Sequence, residues 1–419
     1  MSGVRLMRTL SESLLIIFLT FILTGCSAFA KKSPEGSHAA NASDMVVVTD
    51  SVKADPVWSD PEVLHALIIS DIHYTERESA DHLNVPGIAL SGEFTDAIVE
   101  EVIAKNPDVF IVTGDNTNSG ASEDVAGLTA RLKRIKDAGI PLVITTGNHD
   151  FDLMDEDEYE KAYFGLLDPV DRDPASLSYT YISKDVVLLA MDDKALSRGA
   201  QSEFSPETMG WIREMLEKYK GKRIIFLSHH NVLYKSSGKE TATNIIHNDD
   251  LAETLIKGGV KLCITGHMHS QYILEKDGLW EVLSGMPFSG KHLMGNLAVG
   301  KDRILYYAEP LELGVYGKEV SEKLRPLEEE RDLYMDKVFS ELLDSEGLNG
   351  QKKDGVKELI FRFFDYYEEG SLADHRPEIM ADPNYKTMLD ALWDHNYGPW
   401  MKEMAENTKY SGRQLEINL

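Results

Sequence analysis

Cysteine and positive charge are both scarce in this chain. Its 419 residues include two cysteines, Cys26 and Cys263, which excludes a small secreted domain held together by several disulfide bonds. Lys and Arg number 43 against 70 Asp and Glu, so the net charge is −27. So acidic a surface repels nucleic acids, and no DNA or RNA polymer is expected as a partner. A small phosphate ester is not excluded as a substrate, because bound metal ions reverse the local charge.

The chain also lacks an apolar run of the length that crosses a membrane as a helix. Its N-terminus carries Arg5 and Arg8, followed by an apolar run from Leu14 to Leu23. A membrane-spanning helix needs about 20 apolar residues, whereas the core of an export signal needs about 7–15. We therefore interpret the N-terminus as an export signal.

The apolar run ends in Leu23-Thr24-Gly25-Cys26, which resembles the lipobox of bacterial lipoproteins. The resemblance implies that residues 1–26 are a lipoprotein signal peptide and that Cys26 becomes the lipid-bearing N-terminus of an extracytoplasmic, membrane-anchored protein. The alternative is an ordinary secretory signal followed by an unrelated cysteine. Residues 27–60 are rich in Ala, Ser, Asp and Lys, and we expect them to form a flexible tether.

Strand and helix patterns alternate between residues 61 and 312. Later in this range, Lys184-Asp185 is predicted to turn a hairpin and Ser205 to cap a helix. Earlier, Leu64–Ser70, Val109–Val112 and Pro141–Ile144 are apolar runs typical of buried strands. The segments between them are predicted to be helices, the first of them capped by Ser91 or Thr95. A βαβαβ series indicates a parallel sheet covered by helices, which places the domain in the α/β class.

Residues 317–419 show a different pattern and are predicted to form a small all-helical C-terminal domain. The helix predicted over Val356–Tyr367 carries an aromatic face of Phe361, Phe364 and Tyr367. We interpret this face as helix packing, the alternative being a platform on which a base stacks.

Five short clusters of potential metal ligands follow the predicted strands. They are Asp71-Ile72-His73, Gly114-Asp115-Asn116, Gly147-Asn148-His149-Asp150, His229-His230 and Gly266-His267-Met268-His269. Each cluster alone is a weak signal, but strand ends of an α/β sheet bring such side chains together. Carboxylate, amide and imidazole groups that converge in this way are the ligands that a two-metal hydrolytic centre needs.

The complete set resembles the calcineurin-like metallophosphoesterases and covers about Leu64 to Pro310. The resemblance implies two mixed β-sheets flanked by helices. It implies a first metal ion held by Asp71, His73, Asp115 and His269. It implies a second held by Asp115, Asn148, His229 and His267. Asp115 would then bridge two divalent or transition metal ions, of which Mn, Fe and Zn suit these ligands best, and a bridging hydroxide would attack phosphorus.

Two further roles follow from the same resemblance. His149 resembles the general acid that protonates the leaving alkoxide, the alternative being a structural histidine that fixes its loop. In the family the histidine ligand is usually followed by Pro in the pattern His-x-Pro, and here Asn231 takes the Pro position. We favour His229 as the ligand over His230, which we expect near the substrate or packed behind the site. Asp150 is expected to accept hydrogen bonds from the loop backbone or to orient a neighbour.

The segment from Gly114 to Gly120 separates the subfamilies. It lacks the Asp-Arg pair of protein Ser/Thr phosphatases, and Asn118 replaces the metal-binding Tyr of purple acid phosphatases. Together with Gly147-Asn148-His149-Asp150, it looks most like bacterial class III cyclic-nucleotide phosphodiesterases. The lipobox and the predicted helical domain resemble a lipoprotein branch of that group.

The leading hypothesis is therefore an exported, lipid-anchored, binuclear-metal phosphodiesterase that acts on a small phosphoester. Cyclic nucleotides fit the resemblance, but their signalling pools lie inside the cell. A phosphomonoesterase or nucleotidase acting on extracellular nucleotides is the first alternative, since the same metal core serves both. A non-catalytic surface lipoprotein that binds metal is the second. The oligomeric state is left open.

Overall fold

The computed structural model describes residues 56–77, 85–193, 201–233, 245–395 and 397–419. The predicted signal peptide, Cys26 and residues 27–55 of the predicted tether lie outside these ranges and stay predictions. None of the helices within the described ranges combines the length and hydropathy that a bilayer-spanning segment requires.

The described residues contain strands through the first three quarters of the chain and one more near residue 419. The strands are β1 (Leu64–Ile69), β2 (Val109–Thr113), β3 (Leu142–Thr145), β4 (Asp171–Arg172), β5 (Tyr179–Ser183), β6 (Val186–Ala190), β7 (Arg223–Leu227), β8 (Leu262–Thr265), β9 (Tyr272–Lys276), β10 (Leu279–Leu283), β11 (Leu293–Val299), β12 (Arg303–Pro310) and β13 (Gln414–Asn418).

Helices separate the early strands and dominate after residue 312. They are α1 (Ser91–Lys105), α2 (Ser122–Asp137), α3 (Glu156–Tyr163), α4 (Pro206–Lys218), α5 (Leu251–Lys257), α6 (Leu313–Tyr316), α7 (Lys318–Ser345), α8 (Gly350–Glu368), α9 (Leu372–Ala381), α10 (Tyr385–Leu392) and α11 (Tyr397–Asn407).

The strands form two sheets. The first has the order β13-β12-β11-β1-β2-β3, and the second has the order β4-β5-β6-β7-β8-β10-β9. In the first sheet β1, β2 and β3 are parallel, whereas β11, β12 and β13 pair antiparallel. In the second, β6, β7, β8 and β10 are parallel and the outer strands are antiparallel. The fold of two mixed sheets flanked by helices is thus confirmed.

The main hydrophobic core joins the two sheets with the helices α1 and α2. Strand β2 contributes Val109, Phe110, Ile111 and Val112, all of them fully buried. A second cluster packs α4 and α5 on the outer face of β6, β7 and β8. Since both faces of the central parallel strands are covered, their sequences are continuous apolar runs rather than alternating ones.

Local signals account for several element boundaries. Ser205 caps α4, because its Oγ accepts a hydrogen bond from the Thr208 amide at 3.1 Å. Lys184 and Asp185 both have positive φ, at 46° and 65°, as the tight turn between β5 and β6 requires. The expectation that Ser91 or Thr95 caps α1 is wrong. The helix begins at Ser91 without a side-chain cap, and the Ser91 hydroxyl accepts from the Thr75 amide instead.

The helical region, α7 to α11, has a hydrophobic core of its own. Phe364 and Tyr367 are buried in it, and Phe361 packs against it, so this face serves helix packing as expected. The chain does not end in a helix, however. After α11 it returns to the first sheet, where β13 pairs with β12 from Tyr307–Gln414 to Arg303–Asn418. The sequence pattern did not predict this strand, because its partner lies far away along the chain.

Candidate metal centre

All five predicted ligand clusters lie at the carboxyl ends of parallel strands. Asp71 follows β1, Asp115 follows β2, and Asn148 follows β3 in the first sheet. His229 follows β7 and His267 follows β8 in the second sheet. Because these strands are parallel neighbours within each sheet, their ends open on one side of the domain.

The first group of ligands is compact. Asp71, His73, Asp115 and His269 each offer a ligand atom, and these atoms lie within 4.8 Å of one another. The Nε2 atoms of His73 and His269 are 3.0 Å apart. The His73 Nε2 lies 3.4 Å from Asp115 Oδ2, and the His269 Nε2 lies 3.4 Å from Asp71 Oδ1. This is the set expected around the first metal ion.

A second group adjoins it through Asp115. His229, His230 and His267 offer nitrogen atoms within 4.8 Å of one another. The His229 Nε2 lies 3.2 Å from Asp115 Oδ2, the same oxygen that faces His73. The Asp115 carboxylate therefore stands between the two groups, as a bridging ligand must.

The neighbouring histidines His229 and His230 are both held through Nδ1 but have different partners. The Nδ1 of His229 is 2.9 Å from the Thr113 carbonyl oxygen, which can only accept, so Nδ1 carries the proton and Nε2 is left to coordinate. The Nδ1 of His230 is instead 3.0 Å from Asp193 Oδ2, and its ring packs on the ring of His267. The contact of the His229 Nε2 with Asp115 favours His229 as the ligand, and His230 lies within the same group of nitrogen atoms.

Several buried polar atoms at the site have the chemistry of metal ligands. Asn148 Oδ1, His229 Nε2 and His267 Nε2 are buried and form no hydrogen bond. Buried polar atoms are nearly always hydrogen-bonded, so three such atoms in one place need an explanation. An amide oxygen and two imidazole nitrogens beside buried carboxylates are a donor set that suits Mn, Fe or Zn. The residues present therefore fit the two metal ions that the family implies.

The charges of the ligand side chains favour the binding of a cation among them. Burial alone would raise the pKa of Asp115, but the charges of His229 and His149 outweigh it and hold that pKa well below its usual value. Burial opposes protonation of His229, yet the Asp115 and Asp71 carboxylates prevail and raise the pKa of His229 to about 10. Burial lowers the pKa of His267, which keeps its imidazole in the neutral form that binds metal.

The backbone at the ligands is strained. Five of the seven predicted ligands have positive φ: Asp71 (53°), His73 (44°), Asp115 (46°), His267 (68°) and His269 (54°). A residue other than Gly pays on the order of 1–3 kcal/mol in such a conformation, which persists where the surroundings over-determine it. Strain of this kind concentrates at functional sites, and here it aims the side chains inward.

Glycines of the motifs permit the close approach of the loops. A Cβ on Gly266 would lie 1.9 Å from the Ser70 Oγ and 2.5 Å from Asp71 Oδ2. A Cβ on Gly147 would lie 2.0 Å from the Asp115 amide nitrogen. No larger residue fits at either position unless the ligand loops move apart.

Asp150 organises the neighbouring loops, as the sequence indicated. Its carboxylate accepts hydrogen bonds from the amides of Asn116, Thr117 and Gly147, at 3.3, 2.9 and 3.1 Å. Burial, and then the nearby Asp115 charge, raise the pKa of Asp150 to about 6. Asp150 thus joins the loop that carries Asp115 to the loop that carries Asn148.

His149 lies at the edge of the metal centre and is the most exposed of the predicted site residues apart from His269. Its Nδ1 is 3.2 Å from the Asn118 carbonyl oxygen, so Nδ1 donates and Nε2 is the nitrogen that exchanges a proton. The Nε2 lies 4.0 Å from Asp115 Oδ2 and the ring contacts His73 edge-on. This placement suits a proton donor beside the phosphoryl group.

Sequence reasoning missed two buried acids that position the histidine loops. Asp193 accepts hydrogen bonds from the amide of His230, at 2.7 Å, and from its ring. Glu281 accepts from the amides of Val232 and Leu233, at 2.8 and 2.6 Å. Asp193 follows an apolar strand as the ligands do, which was an available signal. Glu281 lies inside β10, and the sequence around it carries no comparable signal.

Asn231 shows how the chain replaces the proline of the family pattern. Its Nδ2 donates to the Thr265 Oγ1 at 2.9 Å and to the Gly266 carbonyl at 3.3 Å. These bonds tie the segment after His229 to the segment before His267. A hydrogen-bonded side chain thus restrains the loop where a ring would otherwise restrict φ.

The fold and the ligand groups define a two-sheet α/β phosphoesterase. The family model described as calcineurin-like phosphoesterase matches residues 64–271, and the chain belongs to that superfamily. This membership supports metal-dependent hydrolysis of phosphoesters as the activity, at a two-metal site formed by the two ligand groups. No curated protein matches the sequence.

Two solved structures illustrate the similarity of the fold. A dimetal phosphatase from Danio rerio is 13% identical, with a TM-score of 0.46 over 59% of this chain and 96% of that chain. A purple acid phosphatase from seeds of yellow lupin, Lupinus luteus, is 14% identical, with a TM-score of 0.40 over 61% of this chain and 52% of that chain.

The close approach at Gly266 yields a test of the site. We expect Gly266→Ala to lower the free energy of unfolding by about 2 kcal/mol or more, because the added methyl overlaps Ser70 and Asp71. Chemical denaturation measures the change. Gly165→Ala is the matched control, since a Cβ there meets no atom within 4 Å. Equal stability of the two variants would contradict the packing described.

Proposed function

We propose that this protein is an exported, lipid-anchored phosphodiesterase with two metal ions in its active site. The observation that carries the proposal is the convergence of six predicted ligands in two adjacent groups, which meet where the His229 Nε2 faces Asp115 Oδ2 at 3.2 Å. Three predicted ligand atoms, on Asn148, His229 and His267, are buried without a hydrogen-bond partner. Strained, desolvated donors of this kind suit metal ligands, and His149 beside them suits a proton donor.

We assign the side chains to the two ions as the resemblance to the family implies. Asp71, His73, Asp115 and His269 hold the first, and Asp115, Asn148, His229 and His267 hold the second. When bound, such ions lower the pKa of a coordinated water and neutralise negative charge on phosphoryl oxygens. The protein supplies the geometry, because the strained loops and the hydrogen bonds of Asp150 fix the donors before substrate arrives.

His149 moves the proton in this proposal. Its Nδ1–H donates to the Asn118 carbonyl, so the ring is held in place with Nε2 directed toward the centre. Protonated at Nε2, it can give that proton to the oxygen of the leaving group as the P–O bond breaks. Stabilisation of the cationic ring by the nearby Asp115 carboxylate supports this role.

The substrate class rests on the sequence around Asp115. Asn118 and Ser119 stand where protein Ser/Thr phosphatases carry an Asp-Arg pair. The side chains of Asn116 and Thr117 donate hydrogen bonds to Asp150. The combination of Gly114-Asp115-Asn116-Thr117-Asn118 with Gly147-Asn148-His149-Asp150 looks like that of class III cyclic-nucleotide phosphodiesterases. We propose a small phosphodiester, and we take a nucleotide monoester as the competing substrate.

The activity can be tested on protein that lacks residues 1–26. We expect hydrolysis of bis-p-nitrophenyl phosphate with added Mn²⁺ and its loss in chelator. Asn148→Ala and His269→Ala each remove a ligand, so the rate should fall by about a hundredfold or more. His395→Ala is the control, because this histidine pairs with Glu346 in the helical region.

Three outcomes separate the candidates. A higher kcat/KM on the diester than on p-nitrophenyl phosphate supports the phosphodiesterase, and the reverse ratio supports a monoesterase. Stoichiometric Mn²⁺ binding without hydrolysis of either ester would point to the non-catalytic lipoprotein. Full activity of the two ligand variants would refute the proposed metal centre.

The role of His149 predicts a dependence on the leaving group. We expect His149→Asn to lower kcat by about 10²–10⁴ on a cyclic nucleotide, whose alkoxide must be protonated as it leaves. The loss should be much smaller on bis-p-nitrophenyl phosphate, because p-nitrophenolate departs as a stable anion. Steady-state kinetics on both substrates measure the two ratios. Equal losses on both would indicate that His149 only shapes its loop.

The membrane anchor is a separate part of the proposal and predicts acylation of one cysteine. In bacteria that express the full chain, radiolabelled palmitate should enter the protein, and Cys26→Ala should abolish both the label and the partition into detergent. Cys263→Ala is the matched control, because this thiol is fully buried in β8 and should take no part. Labelling that persists in Cys26→Ala would exclude the lipobox.

A further inference from the structure

The helical region contacts the chain directly after a predicted metal ligand. Ser270 and Gln271 follow His269, and both are buried, at 4% and 2% exposure. The Ser270 Oγ lies 2.8 Å from the hydroxyl of Tyr367 on α8.

The direction of this hydrogen bond is set by a second one. The Ser270 Oγ has one proton, which it donates to the Met268 carbonyl at 2.9 Å. The Tyr367 hydroxyl must therefore be the donor to Ser270. A relay of two hydrogen bonds thus runs from α8 to the peptide between His267 and His269.

Gln271 forms a second link. Its Nε2 donates to the Gly412 carbonyl at 2.8 Å and to the Tyr306 hydroxyl at 2.9 Å, and its Oε1 accepts from the Gly285 amide at 3.3 Å. Gly412 in turn donates its amide to the carbonyl of Gly370 at 2.7 Å. Gly412, which follows α11, therefore bonds both to the Gln271 side chain and to Gly370, which follows α8.

The neighbouring loop is held by the same helices. The Met286 amide donates to the His269 carbonyl at 3.4 Å, so the loop after β10 lies against the ligand. Further along this loop, Lys291 pairs with Glu369 at 2.9 Å and His292 contacts Glu328 at 3.2 Å. The helical region thus contacts both segments that flank His269.

The reason for such support lies in the backbone. His267 and His269 have φ of 68° and 54°, and a left-handed conformation at two residues other than Gly persists only where its surroundings impose it. The Met268 carbonyl between them is the acceptor at the end of the relay. The hydrogen bond from Ser270 to the Met268 carbonyl therefore restrains the backbone between the two strained histidines.

We propose that the helical region is a brace for the metal centre and that Tyr367 is a positioning residue for His267 and His269. The inference rests on the proposed function, since it assigns these histidines to metal. It gives the region a role in metal affinity rather than in substrate contact. Without the brace, the loop relaxes toward ordinary backbone conformations and its imidazoles leave the geometry that the ions need.

The test uses Tyr367→Phe in the full-length protein, purified in detergent and freed of metal. The change removes only the hydroxyl and keeps the ring, which packs edge-on against Trp400. Titration calorimetry with Mn²⁺ should show binding about tenfold weaker than in the unmodified protein, comparable to the loss of a group that orients a ligand. The rise in melting temperature on addition of Mn²⁺ should shrink accordingly.

Tyr397→Phe provides the matched control. Tyr397 is buried in the same helical core, and its hydroxyl forms no hydrogen bond. Its loss should leave Mn²⁺ affinity unchanged. If Tyr367→Phe lowered the melting temperature of the metal-free protein but bound Mn²⁺ as tightly as before, the role would be structural and the brace refuted. Unmodified protein that binds no Mn²⁺ would instead overturn the proposed function, and this inference with it.

Discussion

The buried carboxylate of Asp115 is the constraint on which the metal centre depends. One of its oxygens faces His73 at 3.4 Å and His229 at 3.2 Å, and the other accepts the His149 amide at 2.8 Å. A desolvated anion between two groups of imidazoles is costly unless cations surround it. The same residue therefore joins the sheets electrostatically, sets the spacing of the two groups and fixes the loop of the proposed proton donor.

Much of the surrounding structure supports that arrangement. The ligand loops adopt strained backbone conformations. Hydrogen bonds that Asp150 and Glu281 accept and that Asn231 donates restrain these loops. The helical region adds contacts to the segment after His269 through Tyr367. The strained conformations depend on these contacts. A ligand residue with positive φ keeps that conformation only if its neighbours make the ordinary backbone conformation higher in free energy.

The sequence was informative wherever the determining interactions are local. The strands before Asp71, Asp115 and Asn148 were evident as apolar runs, and the turn at Lys184–Asp185 and the cap at Ser205 were evident from residue type. The choice of His229 over His230 also agrees with the contact of the His229 Nε2 with Asp115. By contrast, the expected cap at Ser91 was wrong, since a distant amide, that of Thr75, occupies its hydroxyl.

The sequence by itself determined the α/β class, the order of the ligand clusters and the superfamily, because periodicity and short motifs encode them within a few residues. Tertiary structure alone decided the pairing of β13 with β12, the contact of Asp193 with His230 and the attachment of α8 to Ser270. Each of these joins segments far apart in the chain. Their partners are selected by packing of the whole molecule, which no local pattern records.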